Sequence, residues 1–395
     1  MLRKIGLAGA VLTLAFLAAS CTAAPLKDSM LLYVDGESLK SPYPGVNIQQ
    51  SIRVVDGKFG KALLMERRTL NIVSNGDFAS AVMDGWILSG AERVAVGGVE
   101  NSACLSANDG AVVAIPLTNL VVNSPYAFSF YAKSQKVGSI TVQFSAGGQV
   151  KQLGRFDVPS GDFSRFVTSF YPDTDAGTLR LIVSKGAFMD NVQLEQGVTY
   201  ANTFSTPLKM RLCDWITVPT DGKYLDQKQG AVSCWVNVPW MEDKEFSDGG
   251  KTIFWAGADN KTALGTSIWT RSKKNKLDKG NMFLLIYGEQ SPGITIGAGL
   301  NEVKPAAWHY VVFNWKYSNG QMTGEIFIDG TSVHVTKTGV FGEFRPVREI
   351  FIGYANGAYL DGKLDDFAIW SRPLTKEEVL SIYSSGKPLS ALETK

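Results

Sequence analysis

The clearest change of hydrophobic period along the chain lies near its end. Residues 361–370 form a short apolar run with the pattern of a strand within a core. After Pro373 the period changes, because Thr375 and Glu378 stand in the positions of a capping box and the next apolar residues fall on one helical face. The pattern predicts a last strand followed by a short docked helix, which a two-sheet β-sandwich needs to close itself.

The rest of the chain shows no long stretch of helical period. Short apolar or alternating runs between turn signals dominate, and 40 glycines supply turns. Asp329-Gly330, for example, predicts a two-residue hairpin turn. The sequence therefore predicts an all-β fold, and the length of 395 residues indicates about two domains.

Two segments resemble laminin-G-like, concanavalin-A-like domains. The closing text, Asp361-Gly-Lys-Leu-Asp-Asp-Phe-Ala-Ile-Trp-Ser-Arg-Pro-Leu374, is similar to the common Gly-x-Ile-Asp-Asp-Val-x-Ile-[Tyr/Trp]-x-Arg-x-Leu. The early Gly57-Lys-Phe-Gly-Lys-Ala-Leu63 resembles the opening turn and strand of such domains. The Ser-x-Trp strand that should follow arrives only at 231–238, so the resemblance implies an insertion.

The intervening text resembles the jelly-roll carbohydrate-binding modules of galactose-binding-like fold. Such modules open with Asn-Gly-x-Phe-Glu and a nearby Gly-Trp, and close with Asp-[Asp/Asn]-Val-x-Leu. This chain has Asn75-Gly-Asp-Phe78, then Gly85-Trp86, and finally Asp190-Asn-Val-Gln-Leu194. The ends of a jelly roll lie close together, so a surface loop of another domain can accommodate one.

We therefore predict two β-sandwiches. The inserted module is residues 70–204, and the outer sandwich is the discontinuous set 28–66 plus 206–388, followed by a loose tail at 389–395. We expect the closing strand to pair with, or lie close to, the strand that begins at Leu31.

Residues 1–20 have the pattern of a secretory signal, because their apolar run is too short to span a membrane and ends in small residues. The sequence Leu-Ala-Ala-Ser-Cys21 also resembles a bacterial lipoprotein box, although Ala18 stands where that box has Leu. We expect a lipid anchor at Cys21 and a place in a bacterial envelope, as an outer-membrane or surface lipoprotein. The alternative is cleavage near Ala23 or Ala24 and a secreted product.

Charge argues against nucleic acid as a partner. The formal net charge is +2, and removal of the signal takes away two basic residues. The basic run between Arg271 and Lys279 is interleaved with Ser, Asn and Asp, which is typical of a solvated loop. Phosphate binding needs clustered positive charge, so nucleic acid is not expected; the membrane is expected only through the lipid anchor.

Three cysteines follow Cys21. In an exported protein Cys213 and Cys234 could form a disulfide, although sequence cannot show that their Cα atoms are close enough. Cys104, between apolar neighbours, is expected to be a buried free thiol.

Catalytic carboxylates are not apparent. A glycosidase of this fold would need two carboxylates roughly 5 to 9.5 Å apart. The nearest match to the Glu-x-Asp-x-x-Glu strand of laminarinase-like hydrolases is Glu325 to Asp329, where Phe327 takes the central acid's place. Four strand residues separate these two acids by roughly 13 Å. The two histidines also stand in no triad or zinc-ligand spacing.

Both resembled families often carry calcium. The resemblance would place a structural Ca²⁺ at Asp190 in the inserted module, with Asp77 compensating for the missing Glu at Ala79; the alternative for Asp77 is a turn role. In the outer sandwich Asp361 and Asp365 are metal candidates, and hydrogen bonding to loops is the alternative.

Sugar binding needs aromatic faces beside a few polar groups. For every aromatic candidate the alternative is packing in a core. The candidate ligand-binding residues are Trp240, Trp255, Trp269 and Tyr287 in the outer sandwich, and Tyr126 and Tyr131 in the inserted module.

These observations favour a non-catalytic, exported protein that binds a polysaccharide or glycoconjugate through one or both sandwiches. An adhesion or envelope-scaffold protein that binds protein partners is an alternative, because laminin-G-like sandwiches do both. A cryptic glycoside hydrolase or lyase is a second alternative.

Overall fold

The computed structural model describes residues 26–37, 41–49, 51–198, 201–205, 207–239, 250–259, 262–269, 281–287, 294–298, 303–337, 345–355 and 357–391. The predicted signal, Cys21 and Trp240 lie outside the described residues. Strands dominate this part of the chain, so the all-β prediction is confirmed. No helix within these ranges has the length and apolar character that crossing a membrane requires.

The strands are numbered in chain order. The first are β1 (Met30–Val34), β2 (Asn47–Ile48), β3 (Arg53–Asp56), β4 (Lys61–Met65) and β5 (Thr69–Leu70). Next come β6 (Ile87–Val94), β7 (Cys104–Leu117), β8 (Tyr126–Ser134), β9 (Gly138–Ala146), β10 (Gln149–Val158), β11 (Ser164–Phe170), β12 (Gly177–Val183) and β13 (Ala187–Gln196). Then follow β14 (Met210–Arg211), β15 (Ile216–Val218), β16 (Gln229–Asn237), β17 (Gly250–Asp259), β18 (Thr262–Trp269), β19 (Asn281–Tyr287) and β20 (Ile294–Ala298). The last are β21 (His309–Ser318), β22 (Gln321–Ile328), β23 (Thr331–Lys337), β24 (Glu349–Ile352), β25 (Tyr354–Ala355), β26 (Ala358–Tyr359) and β27 (Gly362–Trp370).

The predicted closing helix is α1 (Lys376–Ser384). Its capping box is present, because the Thr375 hydroxyl accepts from the Glu378 amide at 3.2 Å and the Glu378 carboxylate accepts from the Thr375 amide at 2.8 Å. Short 3₁₀ turns occupy Leu26–Ser29, Val99–Asn101 and Leu389–Ala391.

The first sheet joins the two ends of the outer sandwich. Its order is β23-β22-β21-β16-β27-β4-β3, with β1 also paired to β27. Leu32 lies opposite Ile369, and Leu63 lies opposite Leu364. The predicted pairing of the closing strand with the strand at Leu31 is therefore confirmed.

The second sheet, of order β2-β15-β24-β17-β18-β19-β20, packs against one face of the first. Alternating residues of β16, such as Val232 and Cys234, point into this core, while Trp235 points to the other face. On that other face Val379 and Ile382 of α1 are buried beside Trp235. The first sheet is thus covered on both sides.

The third sheet contains only strands from residues 87–196. Its order is β10-β9-β12-β7-β13-β8-β11, with β6 also paired to β7. It encloses a separate hydrophobic core that includes Phe128, Phe130 and Trp86. Phe78 and Trp86, which carried the resemblance in the sequence, pack together at 5.1 Å between ring centroids.

Buried charges lie where the inserted module leaves the outer sandwich. Lys251 of β17 contacts the Asp361 carboxylate at 3.0 Å, and both side chains are 1% exposed. Arg67, directly before the module, contacts the same carboxylate at 3.3 Å and donates to the Gly197 carbonyl at its far end. Burial raises the pKa of Asp361 to about 7, against the lowering effect of Arg67. We call Lys251, Asp361 and Arg67 the junction triad.

A second group of charges joins the segment that follows the inserted module, at Arg211 and Asp214, to Glu66 at the end of the segment that precedes it. Arg211 contacts both Glu66, at 3.0 Å, and Asp214, at 2.7 Å. The other oxygen of Glu66 accepts from the amide and hydroxyl of Thr203. These ion pairs and hydrogen bonds hold the chain before and after the inserted module together.

Two predictions require correction. Cys213 and Cys234 do not form a disulfide; both are free, as is the buried Cys104. Cys234 is fully buried in the core between the first two sheets, whereas the Cys213 thiol lies against the hydroxyl of Tyr359.

The tail is not loose from residue 389, because the buried Leu389 donates its amide to the Asp366 carboxylate.

Candidate functional site

One face of the third sheet carries aromatic and cationic side chains that the module's core does not use. In β8, Phe128 and Phe130 point into the core, so Tyr131 and Lys133 project from the opposite face. Lys133 lies opposite Phe188 of β13. Directly opposite residues project from the same face, so the pairing places Phe188 beside Lys133.

The cations lie against the rings. The Lys133 Nζ is 4.5 Å from the centroid of the Phe163 ring and 5.6 Å from that of Phe188. The Arg165 guanidinium lies 5.9 Å from the Tyr131 ring, and these two residues are opposite each other in β11 and β8. All five side chains are partly exposed. We call Tyr131, Lys133, Phe163, Arg165 and Phe188 the aromatic face.

A cavity of about 270 Å³ adjoins this face, because Phe188 forms part of its wall. The Asp109 carboxylate accepts from the Gly186 amide at 2.6 Å and faces Lys185 at 3.5 Å. The remaining polar side chains of the wall are Ser106, Asn108, Gln135 and Lys136.

This arrangement has the chemistry of a sugar site. Partly exposed rings can stack on the apolar face of a pyranose, while amide, hydroxyl and charged groups can hydrogen-bond its hydroxyls. Lys133 and Arg165 add positive charge that the rings themselves stabilise.

The predicted ligand residues differ in where the structure places them and in how far they are exposed. Tyr131 lies on the aromatic face, but Tyr126 is a core residue, 1% exposed and stacked on Phe170 at 5.7 Å. Its hydroxyl accepts from the Val121 amide, so the prediction that Tyr126 contacts a ligand is corrected. Trp255 is 9% exposed on the outer side of the second sheet.

Three other predicted residues are placed only in part or not at all. The backbones of Trp269 and Tyr287 lie in β18 and β19, and their side chains are outside the described part of the structure. Trp240 is outside it entirely.

Sequence reasoning missed Phe163, Phe188, Lys133 and Arg165. The alternation of β8 contained a signal for Lys133, because Tyr126-Ala-Phe-Ser-Phe-Tyr-Ala-Lys133 has period two. Phe188 and Phe163 could be placed beside it only through the strand register, which the sequence does not contain.

Asp190 is fully buried and hydrogen-bonded. Its carboxylate accepts from the Val99 amide at 2.8 Å, the Ser102 hydroxyl at 2.7 Å and the Asn191 amide at 2.6 Å. Burial raises its pKa, and the charge of the nearby Asp77 contributes to the same direction. The two predicted calcium residues of the inserted module therefore lie in one neighbourhood, and calcium there stays a prediction.

The acids of the outer sandwich have different partners. Asp361 belongs to the junction triad, while Asp365 accepts from the amides of Lys58 and Phe59 at 2.9 and 3.0 Å. Ammonium, guanidinium and amide donors do not fit a Ca²⁺ ion, which requires oxygen ligands. Among the described residues no group of three His, Cys, Asp or Glu side chains is arranged to hold a metal.

The geometry defines a protein of paired β-sandwiches with an aromatic face on one of them. Residues 213–380 match the family model of the concanavalin A-like lectin/glucanases superfamily, in its laminin G form, which confirms the predicted resemblance for that segment. No curated protein matches the chain.

Several solved structures are similar to parts of the chain. A heptameric pentraxin from Limulus polyphemus is 18% identical, with 40% of this chain and 71% of that one covered and a TM-score of 0.29. The xylan-binding domain of a Paenibacillus barcinonensis protein is 15% identical, with 32% and 94% covered and a TM-score of 0.29. The receptor-binding domain of botulinum neurotoxin type G is 15% identical, with 44% and 40% covered and a TM-score of 0.33, so the chain spans less than half of that domain. Similarity at this level does not extend to function.

Proposed function

We propose that this protein binds glycans without cleaving them, and that the aromatic face of the inserted module is a binding site. The observation that carries the proposal is the row of Phe163, Lys133 and Phe188, partly exposed beside a polar cavity. Neither ring is needed to fill the module's main core, which lies on the other side of β8 and β13.

The charges on this face favour acidic sugars. Lys133 stands beside the rings and Lys136 lines the adjoining cavity, where Asp109 is already paired with Lys185. The Arg165 guanidinium adds positive charge nearby, although it donates to the Asn202 carbonyl and the Ser129 hydroxyl. A carboxylate or sulfate group on the glycan would gain a charge-assisted hydrogen bond there.

Affinity electrophoresis tests this proposal. The protein would be run in native gels that contain xylan, mixed-linkage β-glucan, galactan, polygalacturonate or dextran sulfate. We expect retardation in at least one gel, and weaker retardation of the Phe188→Ala variant. Val150→Ala, which removes an exposed apolar side chain from β10, is the matched control and should behave as wild type. Absence of retardation in every gel would refute the proposal.

We propose that the protein is not an enzyme, because the two carboxylates that come closest to a glycosidase pattern, Glu325 and Asp329, already hydrogen-bond to other protein groups. The Glu325 carboxylate accepts from the Ser332 hydroxyl at 2.6 Å. The Asp329 carboxylate accepts from the Tyr310 amide at 2.9 Å and contacts His309 Nδ1 at 2.8 Å, while the Lys304 amide donates to His309 Nε2. Incubation with the retarding polysaccharide should release no reducing ends; sustained release would contradict this part of the proposal.

We further propose export and lipid anchoring at Cys21. The support is the sequence pattern of residues 1–21. In a bacterial host the chain should fractionate with membranes, and Cys21→Ala should move it to the soluble exported fraction. Equal membrane association of both forms would contradict the anchor.

A second candidate function is protein binding, which an exposed apolar strip favours. The strip lies at residues 208–212, directly after the inserted module. The exposed fractions there are 63% for Leu208, 48% for Met210 and 70% for Leu212, and the neighbouring Leu70 is 36% exposed. Contiguous exposed apolar residues mark interaction surfaces more often than isolated ones do. If this strip binds an envelope protein, Leu212→Lys should abolish recovery of that protein in pull-downs and leave polysaccharide retardation unchanged.

A further inference from the structure

A short hairpin on the outer sandwich holds two tyrosines side by side. Strands β25 and β26 pair so that Tyr354 lies opposite Tyr359, and their turn contains Gly357 at a φ of +83°. Residues directly opposite each other in a pair project from the same face, so the hairpin presents both rings together.

Trp215 extends this pair to a row of three rings. Its ring centroid is 5.4 Å from that of Tyr354, and the Tyr354 centroid is 5.5 Å from that of Tyr359. The planes of neighbouring rings are inclined by only 34° and 35°, so Tyr354 is tilted against both of its neighbours. All three are partly exposed. We call Trp215, Tyr354 and Tyr359 the aromatic ladder.

The ladder is supported from below by two further rings. Phe351 packs edge-on against Trp215 and Tyr354, at centroid distances of 6.4 and 5.6 Å. Trp255 packs with Phe351 and lies across Gly265, where a Cβ would approach its ring to 2.6 Å. The glycine leaves room for the indole, and this packing fixes the base of the ladder.

These rings lie on the side of the second sheet that faces away from the core between the sheets. Ile216, which follows Trp215, and Ile350 and Ile352, which flank Phe351 in β24, fill that core. The ladder is therefore not required to close the sandwich, yet it holds three large rings in contact at the surface, which is more than scattered exposed residues explain.

We infer that the aromatic ladder is a second glycan-binding site, which takes an uncharged stretch of polysaccharide through the apolar faces of its pyranose rings. This inference rests on the proposed function and adds a second point of attachment on the other sandwich. The ladder residues are themselves uncharged, and they offer ring faces, ring edges and tyrosine hydroxyls; the Tyr359 hydroxyl lies against the Cys213 thiol. The aromatic face carries two cations, so the two sites suit different parts of a mixed polymer.

Two sites on one chain predict avidity. A long polysaccharide that reaches both sites converts the second contact into an intramolecular one, which raises the apparent affinity by roughly 10²-fold or more when the geometry permits. A short oligosaccharide would occupy each site separately.

The test uses the full mature chain in gels that contain a polysaccharide which retards wild type. We would compare Tyr354→Ala/Tyr359→Ala with Tyr354→Phe/Tyr359→Phe, which keeps both rings, and with Phe188→Ala. We expect the alanine pair to weaken retardation roughly tenfold or more, the phenylalanine pair to retain most of it, and the combination with Phe188→Ala to abolish it.

Thermal unfolding followed by circular dichroism checks that each variant is folded at the temperature of the gel. If the folded alanine pair is retarded like wild type, the ladder is not a binding site, while the proposed function stands. If the alanine pair does not fold, Trp215→Leu replaces it, with the same reduction expected and unchanged retardation again contradicting the inference. If wild type is retarded by none of the polysaccharides, the proposed function itself fails.

Discussion

Replacing Asp361 with Asn tests the role of the junction triad. Both the Asp361 carboxylate and the Lys251 ammonium are 1% exposed and 3.0 Å apart. Asn removes the charge, keeps the shape, and tolerates the left-handed φ of 54° at this position. Lys251 and Arg67 would both lose the buried carboxylate that they share.

Removing one partner of a buried ion pair lowers the free energy of unfolding by about 3 to 5 kcal/mol. For a unit of 150 to 250 residues each kcal/mol lowers the melting temperature by about 2 to 4 °C, so we expect a decrease of about 6 to 20 °C. Calorimetry at pH 8 measures it, above the pKa of about 7 that burial gives Asp361.

Two controls make this prediction specific. Lys251→Met combined with Asp361→Asn removes both charges of the buried pair and should recover much of the loss. Asp56→Asn, which breaks the exposed pair with Lys61, should leave the melting temperature unchanged. A decrease of less than about 2 °C for Asp361→Asn, or a double variant no more stable than the single one, would refute the reasoning.

Three further predictions concern stability. Burial raises the pKa of Asp365 to about 6. Its contribution to stability is therefore full below the unfolded pKa of about 4 and is lost as pH rises through about 6; the melting temperature should fall between about pH 4 and pH 6, and less so in Asp365→Asn. If calcium binds at Asp77 and Asp190, a chelator should lower the melting temperature of wild type but not of Asp77→Ala; equal curves with and without chelator would contradict the site. Residues 70–204 should give a cooperative unfolding transition on their own, because their sheet and main core are self-contained; a fragment without one would contradict the inserted module.

Much of the outer sandwich could be predicted because its signals are local. The capping box at Thr375 and Glu378 depends on spacing alone, and it appears in the structure with both of its hydrogen bonds. The pairing of β1 with β27 followed from the late arrival of Trp235 combined with the early Phe59 motif.

The candidate site was harder to predict because it depends on register. The sequence gives the same aromatic character to Tyr126 and Tyr131, but five residues apart in a strand they project from opposite faces, and only the second is available to a ligand. Phe188 lies far from Lys133 in the chain and meets it only across β13 and β8. The predicted disulfide was wrong for a similar reason, since residue types alone do not give the distance between Cys213 and Cys234.

The most direct test of glycan binding at the aromatic face is calorimetric titration with an oligosaccharide cut from the polysaccharide that retards wild type. Burial of about 60 Å² of apolar ring surface on Phe188 is worth about 1.5 kcal/mol. We therefore expect roughly tenfold weaker binding for Phe188→Ala, with Val150→Ala unchanged. Equal affinity of wild type and Phe188→Ala for that oligosaccharide would contradict glycan binding at the aromatic face.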